Sequence, residues 1–172
     1  FAPPGTLPPL DVTNARVLRL RTFSKAYGLA GMRVGYAIGN AKLIREFNKV
    51  RNHFGVGRVA QAAARAALQD TKYLQKVLNQ VGESLEKIRG IALENGLKPL
   101  PTASNFVAID CGKDGVFAAA LMNALIRRGI FVRMPGVAPL NRCIRINAGL
   151  QKDLDALSEA LPGALEEVRR SF

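Results

Sequence analysis

Thr22, Ser24, Lys25 and Arg33 fall within twelve residues of one another, in the run Thr22-Phe23-Ser24-Lys25-Ala26-Tyr27-Gly28-Leu29-Ala30-Gly31-Met32-Arg33-Val34-Gly35-Tyr36. Two hydroxyls stand just before one lysine, glycines follow it, and an arginine comes eight positions after it. Hydroxyls and a guanidinium together can hold an anionic group. Glycines let the backbone pass close to a ligand, and the lysine leaves an amine beside the anion. An amine desolvated in such surroundings can form a Schiff base with an aldehyde. Taken singly the same residues mean little, because a lone lysine in a glycine-rich turn is ordinarily a solvated surface group. Arg33 by itself would be a charge at a strand edge.

Arg133 and Arg145 form a second candidate set, twelve residues apart and each flanked by apolar residues. A guanidinium among apolar neighbours is costly unless something anionic meets it. That anion is either a ligand or one of the eleven Asp and Glu residues beyond residue 58. Cys111, Cys143 and the lone His53 have neither the spacing of a zinc module nor the density of a disulfide scaffold. The cysteines read as small buried groups in strands, and no metal site is expected. Tyr27 and Tyr36 read as packing residues, and His53 as a loop or helix-end residue.

These side chains need elements to hold them. Val17 to Phe23 reads as a strand leading into the glycine-containing loop, and Met32 to Ile38 as the strand that follows. Asn40 can cap a helix running to about Asn52, with Leu43, Ile44, Phe47 and Val50 on one face. Val59 to Leu68 is alanine-rich and reads as a tightly packed buried helix. Asp70 or Thr71 then starts a long amphipathic helix that Gly96 ends. Beyond it, strands are expected at Ser104 to Asp110, Ile130 to Arg133 and Cys143 to Asn147. Helices are expected at Val116 to Arg128 and Asp153 to Val168. The pattern predicts an α/β protein: the end of a layered domain over 1–69, a connecting helix over 70–96 and a small α/β domain over 97–172.

The full Ser24-Lys25-Ala26-Tyr27-Gly28-Leu29-Ala30-Gly31-Met32-Arg33-Val34-Gly35-Tyr36 run resembles the cofactor-lysine signature of the fold type I pyridoxal-phosphate aminotransferases, most closely the histidinol-phosphate aminotransferase group. The resemblance continues through Ala60-Gln61-Ala62-Ala63, Ser104-Asn105-Phe106 and Gly129-Ile130-Phe131-Val132-Arg133 to Cys143-Ile144-Arg145-Ile146-Asn147-Ala148-Gly149. It implies that Lys25 is the catalytic lysine carrying pyridoxal 5'-phosphate, that Thr22, Ser24 and Arg33 bind the cofactor phosphate, and that Arg145, assisted by Arg133, binds the substrate carboxylate or phosphate. It also implies a large cofactor domain joined to a small C-terminal domain, a homodimer, an amino donor and a 2-oxo acid as small-molecule partners, and a place in histidine biosynthesis. The family's glycine-rich phosphate turn, cofactor-stacking aromatic ring and pyridine-pairing Asp have no match here. The chain therefore resembles the C-terminal half of such an enzyme, and by itself is expected to be inactive. The segment Asn52-His53-Phe54-Gly55-Val56-Gly57-Arg58 departs from the histidinol-phosphate pattern of Pro, Phe and Asn residues.

Composition sets the outer bounds. The chain has 172 residues, 48% apolar and 22% charged, which suits a globular protein with a core and not a disordered one. No window holds the eighteen or so apolar residues of a membrane span, and Phe1-Ala2-Pro3-Pro4-Gly5 has no signal-peptide character, so a membrane-spanning class is not expected. With only Cys111 and Cys143 and no disulfide framework, a reducing, cytoplasmic setting is expected. The formal charge of +12 is concentrated at 1–58, where ten Lys and Arg face only Asp11 and Glu46. Such basicity raises nucleic-acid binding as a rival function. However, Lys42, Arg45, Lys49 and Arg51 alternate with apolar residues at helical spacing, as a solvated face does. No RNP pair or zinc-finger spacing accompanies them, so neither nucleic acid nor membrane is expected as a partner. The nearer rivals are an aromatic aminotransferase and a phosphoamino-acid decarboxylase on the same scaffold.

Overall fold

A computed structural model describes residues 1–2 and 5–172. Two residues of the opening Phe1-Ala2-Pro3-Pro4-Gly5 run, Pro3 and Pro4, therefore lie outside the described residues. The chain divides into two compact units, Pro3–Leu78 and Phe1–Ala2 with Asn79–Phe172. The division falls inside a long helix.

In the first unit, β1 (Leu18–Thr22) and β2 (Gly35–Gly39) form an antiparallel hairpin with Thr22 opposite Gly35. Gly35 is required by close approach, since a Cβ there would lie 2.6 Å from the Arg21 carbonyl oxygen. The second strand begins three residues later than the sequence suggests. Ala30–Met32 make a 3-10 turn instead, and Arg33 adopts a left-handed backbone with φ +51°. Asn40 does cap the next helix, α1 (Ala41–Val50), accepting a hydrogen bond from the Lys42 amide. The alanine-rich α2 (Arg58–Gln69) is not buried as expected. Only Ala60 and Ala64 are enclosed, against Phe23 and Val34, while Val59 and Leu68 are exposed.

The long helix α3 (Thr71–Glu94) starts at Asp70, whose side chain accepts from the Tyr73 amide, and Gly96 at φ +72° turns the chain out of it. In the second unit β3 (Lys98–Pro99), β4 (Phe106–Asp110) and β5 (Cys143–Asn147) make an antiparallel sheet with β4 in the middle. Asp114 caps α4 (Gly115–Arg127), and the terminal α5 (Gln151–Arg169) continues through Pro162. The predicted strand at Ile130 to Arg133 does not form. Only Arg133 pairs, in an isolated antiparallel bridge to Arg145.

Alternation on the sheet separates its two faces. Val107 and Ile109, opposite Ile146 and Ile144, turn into a core with Phe117, Leu121 and Leu125 of α4 and Leu157, Leu161 and Leu165 of α5. Phe106, Ala108 and Arg145 occupy the other face. Leu121 is fully enclosed, so Leu121→Ala should cost about 2–5 kcal/mol in a denaturant titration. A loss under about 1 kcal/mol would show that the core is not built around α4.

Cys143 lies in β5 and Cys111 immediately follows β4, one residue outside the strand expected to hold it; both are buried and free. Burial pushes the Cys111 thiol from its ordinary 9.0 up to about 11, and burial raises Cys143 as well. A raised folded value stabilises the fold fully below the unfolded value. That stability is lost as pH rises from about 9 through about 11. Both thiols should resist alkylation at neutral pH until the protein is unfolded. Rapid labelling of the native protein would contradict their placement.

Candidate functional site

The hydrogen bond from the Phe23 amide to the Val34 carbonyl, 3.3 Å, carries the β1–β2 ladder one residue beyond the strands. Ser24 and Arg33 are therefore the next residues on the two sides of the hairpin mouth. Between them the chain folds back on itself. Gly28 donates to the Lys25 carbonyl at 2.9 Å and Leu29 to the Phe23 carbonyl at 2.9 Å, with Gly28 at φ +68°. Phe23 anchors this turn from inside, with its ring centroid 5.0 Å from Tyr27 and 5.6 Å from Tyr36. Both tyrosine rings contact Phe23, as the packing role read from their sequence positions suggests, although Tyr36 stays partly exposed.

The Thr22 and Ser24 hydroxyls meet at 2.9 Å, and the Ser24 amide donates to the Thr22 hydroxyl. Arg33 donates from one nitrogen to the Ala30 carbonyl at 2.7 Å, and its other nitrogens make no further bond among the described residues. The Lys25 amine likewise has no hydrogen bond or ion pair there. Neither carboxylate of this basic stretch offsets the cluster, because Asp11 accepts from Thr13 and Glu46 pairs with Lys49. Two hydroxyls, an uncommitted guanidinium edge and an amine, without a neutralising acid, make a donor set suited to a phosphate beside an electrophilic carbon.

Two features differ from the sequence expectation. Lys25 is exposed, so this chain's residues do not supply the desolvation anticipated for its amine. Arg33 is not on a strand but in the left-handed region, which costs a non-glycine residue energy and concentrates at ligand-holding positions. The motif's glycines signal a tight turn, but nothing in the residue types marks Arg33 as its strained member.

Arg133 and Arg145 are side by side in the second unit. The Arg145 amide donates to the Arg133 carbonyl at 2.6 Å and the Arg133 amide to the Arg145 carbonyl at 3.2 Å. Residues exchanging both bonds project their side chains to the same face. Both line a cleft of about 380 Å³ with Phe131, Asn147, Gly149 and Asp153. Neither arginine has a carboxylate partner among the described residues. The structural ion pairs go instead to Arg127 and Arg128 with Glu167, and to Arg142 with Asp110 at 2.8 Å. Arg133 is exposed, and Arg145 is half-buried with its Nε enclosed and without a hydrogen-bond partner. An orphaned buried guanidinium nitrogen in a cleft is a demand for an anion. His53 meets Phe54 edge-on in an exposed loop. Among the described residues no group of acidic, His and Cys side chains could hold a metal, and no helix is long and apolar enough to cross a membrane.

Residues 6–161 match the family model for aminotransferase class I and II. A histidinol-phosphate aminotransferase of Geobacillus sp. strain WCH70 is 38% identical over 95% of this chain and 44% of its own length. A histidinol-phosphate aminotransferase of Ralstonia nicotianae is 40% identical over 86% of this chain and 39% of its own. The crystal structure of histidinol-phosphate aminotransferase from Sinorhizobium meliloti in complex with pyridoxal-5'-phosphate superposes with a TM-score of 0.93 at 49% identity, covering 97% of this chain and 46% of that one. The chain thus spans less than half the length of these relatives.

Proposed function

We propose that this chain, which belongs to the aminotransferase class I and II family, carries the catalytic lysine and two anion-binding sets of a pyridoxal-phosphate-dependent aminotransferase, with histidinol phosphate as its preferred amine and a 2-oxo acid such as 2-oxoglutarate as acceptor. The matched relatives are more than twice as long, so the activity is assigned to the polypeptide of family length that carries these residues. The 172 residues by themselves are expected to be inactive. The β1–β2 hairpin exposes Leu20, Tyr36 and Ile38, which a complete sheet would cover.

The donor set around the hairpin mouth fits the cofactor. Thr22, Ser24 and Arg33 would hold its phosphate, and the uncommitted Lys25 amine would hold its aldehyde carbon. When bound, pyridoxal phosphate supplies the electron sink that stabilises charge on the substrate carbon losing its proton. The Lys25 amine would serve as base and then as acid, moving a proton between substrate Cα and the cofactor's C4′. Arg145 and Arg133 orient the substrate through its anionic end.

The paired arginines carry the choice of substrate. Two planar forks projecting to one face suit a dianionic phosphate better than a single carboxylate. The test is a transamination assay of the family-length protein with 2-oxoglutarate, comparing histidinol phosphate with phenylalanine. A specificity constant at least tenfold higher for histidinol phosphate supports the assignment. Equal or better use of phenylalanine would favour an aromatic aminotransferase, and release of carbon dioxide would favour a decarboxylase.

A further inference from the structure

We propose that the Phe106 ring is a positioning element for the Arg145 guanidinium and thereby sets how tightly the protein grips a phosphoryl dianion; this rests on the reading that Arg145 receives the substrate anion. Phe106 and Ala108 lie two residues apart on β4 and share a face, and Arg145 on β5 is directly opposite Ala108. Alanine leaves open the space across the ladder, and the guanidinium extends diagonally over the ring of Phe106, its Cζ 4.8 Å from the centroid. The negative face of the ring attracts the cation without accepting its hydrogen bonds in the plane of the fork. The Arg145 Nε is enclosed and unpartnered. The ring steadies the guanidinium from one side and takes up none of its N–H donors.

The backbone that carries the ring is itself anchored. The Thr102 hydroxyl donates to the Phe106 carbonyl at 2.6 Å and accepts from the Ser104 amide, and the Ala148 amide donates to the Asn105 carbonyl at 2.9 Å. Arg133 has no such support: its side chain is exposed and makes no hydrogen bond, ion pair or ring contact among the described residues. A long side chain ordered before binding loses less freedom when the anion arrives. Arg145 is thus the preset member of the pair and Arg133 the adaptable one.

The test measures competitive inhibition of the family-length enzyme by inorganic phosphate, using phenylalanine with 2-oxoglutarate as the assay. Mono-, di- and trifluorinated phenylalanines in place of Phe106 keep the shape of the ring while draining its negative face. Phosphate should bind progressively more weakly along the series. Phe106→Leu should weaken it by roughly threefold to thirtyfold and raise KM for histidinol phosphate more than it lowers kcat. Phe106→Tyr should restore both. A flat fluorination series, with phosphate inhibition still lost in Arg145→Lys, would overturn the positioning role and leave Arg145 as the anion receptor. Phosphate inhibition indifferent to Arg145→Lys as well would overturn the reading beneath it.

Discussion

In the family-length protein Lys25→Ala should lower transaminase turnover by at least about 10²–10⁴-fold, the contribution expected of a positioned acid–base group, with loss of covalent cofactor attachment adding to it. The lysine stands one residue past the Ser24 hydroxyl, at the mouth of a hairpin locked by Phe23, Gly28 and Gly35. Its amine has no partner among the described residues that could explain it as a structural cation. Because Lys25 is exposed in this chain, the cofactor-free variant should melt within a degree or two of the cofactor-free parent, while the loaded variant loses the stabilisation that covalent attachment adds. Turnover within tenfold of the parent would remove Lys25 from the chemistry. A large drop in melting temperature of the cofactor-free protein would mean that the residue is structural after all.

Arg145→Lys should lower the specificity constant for every substrate, including the glutamate half-reaction, by roughly thirty-fold to a thousand-fold. This corresponds to about 2–4 kcal/mol for removing a charge-assisted hydrogen bond while its anion stays desolvated. Lysine keeps the charge but cannot reproduce two parallel hydrogen bonds from one plane. Arg133→Lys should behave differently. Its side chain is exposed and unsupported, so its contribution is expected only where a second fork has something to bind. A phosphorylated amine should lose at least tenfold, an aromatic amino acid less than threefold. Steady-state kinetics of both variants on both substrates separate these cases. Equal, small losses for Arg133→Lys would leave phosphate recognition without its second fork.

The elements that hold these residues are legible to different depths. Asn40 and Gly96 mark their helix ends because capping is local chemistry, a side-chain acceptor for an orphan amide or a residue free to take positive φ. The alternation of β4 and the three- and four-residue steps of α3 and α5 are equally plain. The burial of α2 is not, because alanines at helical spacing state what can pack closely, not what is there to pack against; among the described residues Phe23, Val34 and their neighbours form the small cluster that encloses Ala60 and Ala64. The segment before Arg133 reads as a strand from Ile130, Phe131 and Val132, yet pairing depends on an edge offered from elsewhere, and only Arg133 meets one. The site is visible where its chemistry follows from residue order, as with the two hydroxyls, the lysine and the arginine. Features set by tertiary geometry are not: the left-handed Arg33, the exposure of Lys25, and the ring of Phe106 beneath Arg145.

Whether Lys25 holds the cofactor is decided by mixing the family-length protein with pyridoxal phosphate, reducing with borohydride, digesting, and locating the pyridoxyl label by mass spectrometry. Stoichiometric label is expected on the peptide containing Ser24-Lys25-Ala26-Tyr27 and on no other lysine. Label distributed over surface lysines such as Lys42 and Lys49, or absent from Lys25, would contradict the assignment.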